Sequence, residues 1–425
     1  MEQHHARAIL LAGKNVVLTG AAGSGKTTLL QDFIAQARLK GRVVAVTATT
    51  GLAATHLSGT TIHSWAGIGI HDDVSEHMLK KLPSSRLDTI KKTDILIIDE
   101  ISMLHDFRLD MIDRVLRHAR KSERPFGGLQ VVLSGDFFQL PPINRQGSRS
   151  GSFIHKSRVW NEAEFSVCYL KTNYRQINDA NYATLLQAIR DNSLSEDQYE
   201  QLHSRIGAFI DPFETITKLY TTNIDVDAVN SKKLQTINSP TVSYFMETTG
   251  KKQYVDTLKK SCLAPEVLQL KIGAAVMCIK NAQDKSYVNG SLGSVIGFEK
   301  GTDYPQVALQ NGGEVTIKPE SWELIDGETK RASLTQLPLR LAWAITVHKS
   351  QGMTLDAAEI DLSRAFTPGM GYVALSRVKN LGQVYLKGIN EMALQISPEA
   401  FELERTLQAL SAKTLADNHQ LYKDD

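Results

Sequence analysis

Cysteine is scarce in this sequence. Cys168, Cys262 and Cys278 are the only three in 425 residues, they lie far apart, and none belongs to a CxxC pair. That excludes a disulfide framework and a cysteine-built zinc site, and the three read as ordinary buried thiols in a reducing compartment. Neither sign of charge is in surplus, with 48 basic against 46 acidic side chains and a formal net charge of +2. A surface for a polyanion must therefore be a local patch and not a property of the whole chain. No apolar run approaches the roughly 20 residues that span a bilayer, and Met1 to Arg7 lacks a signal-peptide core. Low-complexity tracts and short-period repeats are absent too. These absences lead to the expectation of a soluble, intracellular protein, cytoplasmic or nucleoid-associated, without a membrane partner and with a bacterial or viral source favoured.

Size and apolar content are ample. With 42% hydrophobic residues over 425 positions, the chain can bury a substantial core and is expected to form more than one domain. Residues 15 to 20, NVVLTG, read as a buried parallel strand, followed by a Gly-rich turn and a helix with apolar positions at Leu29, Leu30, Phe33 and Ile34. Apolar runs at 43–46, 95–98 and 131–133 each end in polar residues, as in a doubly wound parallel sheet whose ligands sit beyond the carboxyl ends of its strands. A second series has strands around 218–221, 358–361 and 383–387, so two similar α/β units are expected. Between about 240 and 335 the texture changes to short alternating strands and turns (GAAVMCIKN, VNGSLGSVIGF, PQVALQNGG, EVTIKP), which predicts a small inserted β-barrel.

Three segments carry chemistry. GAAGSGKT, Gly20 to Thr27, fits the phosphate-loop pattern between a strand and a helix. Its glycines let backbone N–H groups face phosphate oxygens, the helix N-terminus adds its positive end, Lys26 reaches the β and γ phosphates, and Thr27 ligates Mg²⁺. A nucleotide kinase would carry this loop as well. ILIIDEIS places Asp99 and Glu100 at a strand tip, where Asp99 can hold Mg²⁺ and Glu100 can orient and deprotonate water; strand-tip acids are otherwise often helix caps. VVLSGDFFQLPPI leads into Asp136 and Gln139, and a glutamine there can bond both γ-phosphate and water. The alternative for that segment is a polar turn closed by Pro141 and Pro142.

The order GAAGSGKT, TATTGLAA, GTTIHSWAGIG, DEIS, PFGGLQVVLSGDFFQLPP, TNYRQ, LAWAITVHKSQGMTLD and YVALSRV resembles superfamily-one helicases of the RecD and petite-integration-frequency (Pif-one) type. The segment from Asp110 through PFGG to Pro142 resembles the signature separating the Pif-one group from its RecD relatives. The motifs run from about residue 3 to residue 378. The resemblance implies an α/β fold of two RecA-like domains, the first over 1–178 with a small wedge insertion at about 66–92. The second takes 179–239 with 336–425, interrupted by an SH3-like insertion over 240–335 in which VNGSLG matches the family.

Carried over by position, the resemblance implies ATP and Mg²⁺ as cofactors. Gln3 would read adenine and Tyr174 would lie against the base, with Gly23, Ser24, Gly25, Lys26, Thr27 and Thr28 around the phosphates. Thr27 and Asp99 would hold the metal, Glu100 would be the base and Gln139 the γ-phosphate sensor. Arg175 and Arg377 would be arginine fingers from opposite sides of the cleft, as planar, permanently charged donors suit a transferring phosphoryl group. Outside the family pattern, Gln3 would be a free terminus and the two arginines surface residues.

DNA contacts are expected from Thr49, His63 and Trp65 in the earlier loops, and from Thr346, His348, Lys349 and Ser350 in the later segment. Hydroxyl, imidazole and amine groups suit phosphates, and an aromatic can stack on a base; packing under a loop is the plainer account of His63 and Trp65. Arg114, Arg117, Arg120, Lys121 and Arg124 read as a solvated face. The resemblance further implies a monomer that moves 5′ to 3′ on single-stranded and forked DNA, extends to quadruplex or RNA–DNA hybrid substrates, and serves DNA repair, recombination and telomere maintenance. Little precedes the first strand and a short charged tail follows about residue 415, so no nuclease activity is expected. Two other classes compete, a P-loop kinase with an acceptor lid and a non-catalytic nucleotide switch. A kinase would not need the second α/β series or TVHKSQG, and neither class accounts for two sets of cleft residues.

Overall fold

Runs rich in β-branched and aliphatic residues build the first sheet, because such side chains pack on a pleated surface covered from both faces. In the computed structural model the strands are β1 (Val16–Gly20), β2 (Val44–Ala48), β3 (Thr60–Thr61), β4 (Ile95–Asp99), β5 (Gln130–Gly135) and β6 (Ser166–Leu170). They form one sheet in the order β3-β2-β4-β5-β1-β6, and every pairing is parallel. The structure describes residues 1–422 other than 51, 52, 55, 56, 58, 70, 145, 146, 211–215, 263, 281, 283, 285, 288–290, 311, 327 and 328.

Helices α1 (Gln3–Leu11) and α2 (Lys26–Leu39) cover one face through Ala6, Ile9, Leu10, Leu29, Leu30 and Phe33. Helix α3 (Asp106–Arg120) is held by carboxylates of the Pif-one-like signature: Asp113, fully buried, accepts the Phe126 N–H at 2.7 Å, and Asp110 accepts the Val159 N–H at 3.0 Å. The signature thus fixes PFGG against α3 and aims β5. The basic stretch is a solvated face only in part: Lys121 and Arg124 are exposed, whereas the arginines of α3 are paired. Arg117 pairs with Asp113 and Glu162, Arg114 with Asp73 and Glu76, and Arg120 donates to the carbonyls of Gly127 and Thr93. In the expected wedge region, short helices Glu76–Lys80 and Ser84–Lys92 bury Leu79 and Ile90; Ile70 lies outside the described residues.

The chain divides into two compact units, Met1–Thr215 with Val347–Asp425, and Ile216–Thr346. These limits differ from the division read from sequence. Helices α4 (Ala180–Arg190), α5 (Met370–Leu375) and α6 (Pro398–Asp417) belong to the first unit, and α6 lies along β6, where Thr414 and Ser411 hydroxyls accept the N–H groups of Val167 and Tyr169. Strands Ala358–Leu362 and Val384–Ile389 pair in parallel in the same unit.

In the second unit, strands Thr217–Tyr220 and Ala344–Thr346 pair in parallel beside helix Asn223–Thr236, whose buried Asn230 exchanges hydrogen bonds with the Ala344 backbone. The inserted region is β-rich, as read. Strands Ala275–Cys278, Leu292–Phe298, Pro305–Leu309, Glu314–Thr316 and Leu339–Leu341 form a five-stranded antiparallel sheet over a core that includes Val276, Val295 and Val307. A further three-stranded sheet carries helix Lys252–Ser261, packed through Val255 and Leu258; the alternating pattern gave no sign of that helix. Val288, Asn289 and Gly290 of VNGSLG, like Gly51 and Leu52 of TATTGLAA, lie outside the described residues. Cys168 and Cys278 are buried, Cys262 is half-buried, and all three are free thiols.

Candidate nucleotide and nucleic-acid site

Strand β1 ends in the phosphate loop, and α2 begins at Lys26. Gly20, Gly23 and Gly25 take φ of 142°, 84° and 80°, a region that favours glycine. Gly25 also needs its missing side chain, since a Cβ there would meet Gln3 Nε2 at 2.2 Å and Tyr174 Cδ2 at 3.4 Å. Gln3 and Tyr174 therefore flank the loop together. Gln3 Nε2 donates to Ser24 O at 3.4 Å and Tyr174 N to Gly23 O at 2.9 Å. Met1 is buried and its amino group donates to Tyr169 O, so the N-terminal segment is anchored on the sheet. Lys26 Nζ donates to Gly20 O at 2.8 Å and Ala21 O at 3.0 Å. Burial lowers its pKa, against the carboxylates of Asp136, Glu100 and Asp99, which raise it. Thr27 and Thr28 are exposed in the first turn of α2.

Asp99 and Glu100 follow from β4. Burial raises both carboxyl pKa values; the Asp99 charge pushes Glu100 further, while the Gln351 amide, Arg377 and Lys26 pull it back. Glu100 sits at φ 54°, ψ 46°, a left-handed conformation costly for a non-glycine residue. Two partners hold it there. Thr49 Oγ1 donates to its backbone oxygen at 2.9 Å, and Gln351 Nε2 donates to its Oε2 at 2.9 Å. Gln139 is buried, its Nε2 3.3 Å from Asp136 Oδ2. Burial pushes the Asp136 carboxyl up, but Arg190 and Lys26 outweigh that and hold it below its ordinary value. An ionised carboxylate only accepts, so Gln139 must turn its amino end to Asp136, and its Oε1 is buried without a protein partner among the described residues.

The two arginines converge. Arg175 Nη1 donates to Ser376 O at 2.7 Å; Arg377 donates from Nε to Val373 O and from Nη2 to Ser376 Oγ, both at 2.8 Å. Burial, with Arg377 nearby, drives the Arg175 pKa down to about 9. Two guanidiniums packed this closely and poorly hydrated are suited to receive a polyanion.

The expected DNA-facing residues differ among themselves. His63 and Trp65 are half-buried on the short helix Ile62–Ala66, and Arg86 donates to the Trp65 carbonyl at 2.9 Å. Thr49, Thr346 and Ser350 are buried. Thr49 spends its hydroxyl on Glu100, and Ser350 Oγ donates to Val347 O at 2.8 Å, so these two hydroxyls point inward and not to solvent. His348 and Lys349 are half-buried, and His348 stacks at 6.1 Å on Phe366, itself 61% exposed.

Sequence reasoning missed Gln351, although it stands inside TVHKSQG beside the residues singled out. It also missed Arg190 and Tyr372, which bond Asp136, and Glu404, which accepts from Arg190. No local signal marks these, because each partner is distant in sequence.

A family model described as PIF1-like helicase matches residues 2–200, and one described as DNA helicase Pif1, 2B domain, matches residues 253–298. The ATP-dependent DNA helicase Pif1 of Psychrobacter sp. is 39% identical over 99% of this chain and 74% of its own length. The human ATP-dependent DNA helicase PIF1 is 36% identical over 94% of this chain, which spans 62% of the human protein's length. Among solved structures, the Pif1 helicase from Candida albicans superposes with a TM-score of 0.89 at 34% identity, covering 95% of this chain and 98% of that one. The Pif1 helicase from Bacteroides in complex with ADP-AlF3 and ssDNA gives 0.80 at 32% identity, covering 96% and 97%. Motif order, a phosphate loop flanked by Gln3 and Tyr174, and these likenesses agree: the chain belongs to the PIF1-like helicase family, with its RecA-like α/β fold and a Pif1 2B domain.

Proposed function

We propose that this chain is an ATP-dependent DNA helicase that translocates 5′ to 3′ on single-stranded DNA and unwinds duplex, forked or structured DNA. The observation that carries the reading is how Glu100 is held. Its backbone oxygen is bonded by Thr49 and its carboxylate by Gln351, each from a segment expected to touch DNA. A kinase or a passive switch has no use for a general base tethered in this way. In a motor it lets occupancy of the strand reach the hydrolytic centre through two hydrogen bonds.

The phosphate loop fits a triphosphate, since its glycines at positive φ wrap the backbone from Gly20 to Gly25 around the N-terminus of α2, with Lys26 Nζ inside the turn. Asp99 fits a divalent cation, because burial penalises its negative charge and Lys26 offsets that only in part. Thr27 and Asp99 would hold Mg²⁺, which would neutralise developing phosphate charge. Glu100 would take the proton from water, Gln139 would sense the γ-phosphate, and Arg175 and Arg377 would stabilise charge on the transferred group. Gln3 and Tyr174 would receive the base, and Gly23, Ser24, Lys26 and Thr28 would line the phosphates.

For DNA, His63, Trp65, His348 and Lys349 offer side chains; Thr49, Thr346 and Ser350 would act through backbone groups or through position. The working lobes would be 1–178 and 179–239 with 336–425, alternating between closed and open states, with 240–335 as the 2B insertion and 66–92 as the wedge. Single-stranded and forked DNA fit the relatives' complexes; quadruplex and RNA–DNA hybrid substrates, action as a monomer, and the 5′ to 3′ direction rest on the family resemblance.

The test is steady-state ATP hydrolysis with and without a single-stranded oligonucleotide, for the native chain and Glu100→Gln. The expected result is strong stimulation by DNA in the native chain and a loss of at least about 100-fold in the variant, the scale of removing a group used in the transition state. Turnover indifferent to DNA would sink the helicase reading.

A further inference from the structure

Behind the phosphate loop lies a buried polar cluster that the reaction as described leaves unused. Ala22 is the third residue of the loop, and its N–H donates into the protein, to Tyr372 Oη at 3.0 Å. Arg190 Nη1 donates to the same oxygen at 2.8 Å, and the phenol gives its own proton to Asp136 Oδ2 at 3.2 Å. A phenol has one proton and two lone pairs, so three bonds satisfy it and fix its rotation. Its partners are fixed in turn. Arg190 Nη1 lies 2.9 Å from both Asp136 oxygens, and Nη2 reaches Glu404 Oε1 at 2.8 Å. Tyr372, Arg190 and Asp136 are each about 1% exposed, so no water competes for these groups. Burial raises the Tyr372 pKa to about 12, which keeps the proton on the phenol at neutral pH.

The loop needs such an anchor. Three of its residues from Gly20 to Gly25 are glycines at positive φ, and glycine loses the most conformational freedom when a loop is ordered. Tyr174 N ties the outer limb at Gly23 O, and Lys26 closes on Gly20 and Ala21 from within. The Ala22 N–H faces neither of these; the phenol is what holds it.

We propose that Tyr372 is a positioning residue for ATP hydrolysis, its hydroxyl holding the Ala21–Gly23 limb of the phosphate loop in the conformation that receives the triphosphate, with Arg190 and Asp136 locking the hydroxyl. The proposal rests on the reading of this site as an ATP-hydrolysing one. Tyr169 supplies the control. It is a second buried tyrosine of the same cluster, its hydroxyl donates to Glu404 Oε1, and it has no side-chain bond to the loop.

The experiment compares steady-state ATP hydrolysis of the full-length native chain, Tyr372→Phe and Tyr169→Phe, with saturating single-stranded oligonucleotide, alongside thermal unfolding of all three. One lost hydrogen bond to a loop that must then be ordered by the ligand corresponds to about a five-fold rise in KM for ATP. Tyr372→Phe is expected to show that rise with a smaller change in kcat, and Tyr169→Phe to stay within about two-fold of the native KM. Equal rises in both variants would make the effect a general loosening and overturn the proposal. A lowered melting temperature with unchanged KM for Tyr372→Phe would assign the hydroxyl to stability alone and overturn it as well. A native chain without ATP turnover would instead overturn the reading of the site on which the proposal stands.

Discussion

His63 shows how burial can settle what a residue offers to a ligand. Its ring is half-buried, and burial, with Arg108 and His105 close by, lowers its pKa from 6.5 to about 4. At neutral pH the side chain is an uncharged hydrogen-bonding group, so a phosphate held there would be held without an ion pair. The same shift has a consequence for stability. Above pH 6.5 both folded and unfolded states carry the neutral ring; as pH falls below 6.5 the unfolded chain takes the proton first, and stability declines until the folded ring titrates near 4. The shift is worth on the order of 2 to 3 kcal/mol after allowance for partial exposure. Thermal unfolding followed from pH 7 to 4 should therefore fall less steeply for His63→Asn than for the native chain. Parallel curves would show that the ring is solvated and that its pKa is ordinary.

At the scale of elements, the edge of the first sheet is the exposed risk, because β6 pairs with β1 alone and an unpaired strand edge invites association. Helix α6 covers it with side chains in place of a further strand: Ser411 Oγ takes the Tyr169 N–H at 3.0 Å and Thr414 Oγ1 the Val167 N–H at 3.1 Å. Both hydroxyls are buried, so removing them leaves two amides without water or partner. The double variant Ser411→Ala, Thr414→Val keeps the volume and should lose about 2 to 4 kcal/mol, read as a lower urea midpoint. A loss under about 0.5 kcal/mol, the range of an ordinary surface change, would mean the edge is hydrated.

Neither this edge nor the Asp136 cluster was legible in the sequence, and the reason is separation along the chain. Strands β1, β2, β4 and β5 are legible because each is a contiguous apolar run, and Lys26, Asp99, Glu100 and Gln139 because each stands within a few residues of a strand tip; β3 and β6 are not among the strands read from sequence. Arg190, Tyr372 and Glu404 reach Asp136 or its partners from 54, 236 and 214 residues away. Gln351 reaches Glu100 across 251 residues. Periodicity gives the direction a side chain faces and never the side chain it meets. Helix α6 makes the same point, since it follows the second series of strands in sequence yet packs on β6.

For the whole molecule, the near balance of 48 basic and 46 acidic side chains sets how the chain can hold DNA. The basic residues of α3 are committed to Asp113, Glu162, Asp73, Glu76 and backbone carbonyls, so they add little to an external field. Among the proposed DNA-facing side chains only Lys349 carries a fixed positive charge; burial lowers the pKa of both His63 and His348 and favours their neutral forms. Such a surface neutralises few phosphates. For single strands the logarithm of affinity falls with the logarithm of salt concentration by about 0.7 per phosphate neutralised, and one to three such contacts correspond to a slope between about −0.7 and −2. Fluorescence anisotropy of a labelled single-stranded oligonucleotide, titrated between about 50 and 200 mM salt, measures it. A shallow slope fits a motor that grips through neutral donors and stacking and can release its strand at each step. A slope steeper than about −4 would require roughly six neutralised phosphates, and with them a basic surface other than the loops proposed here.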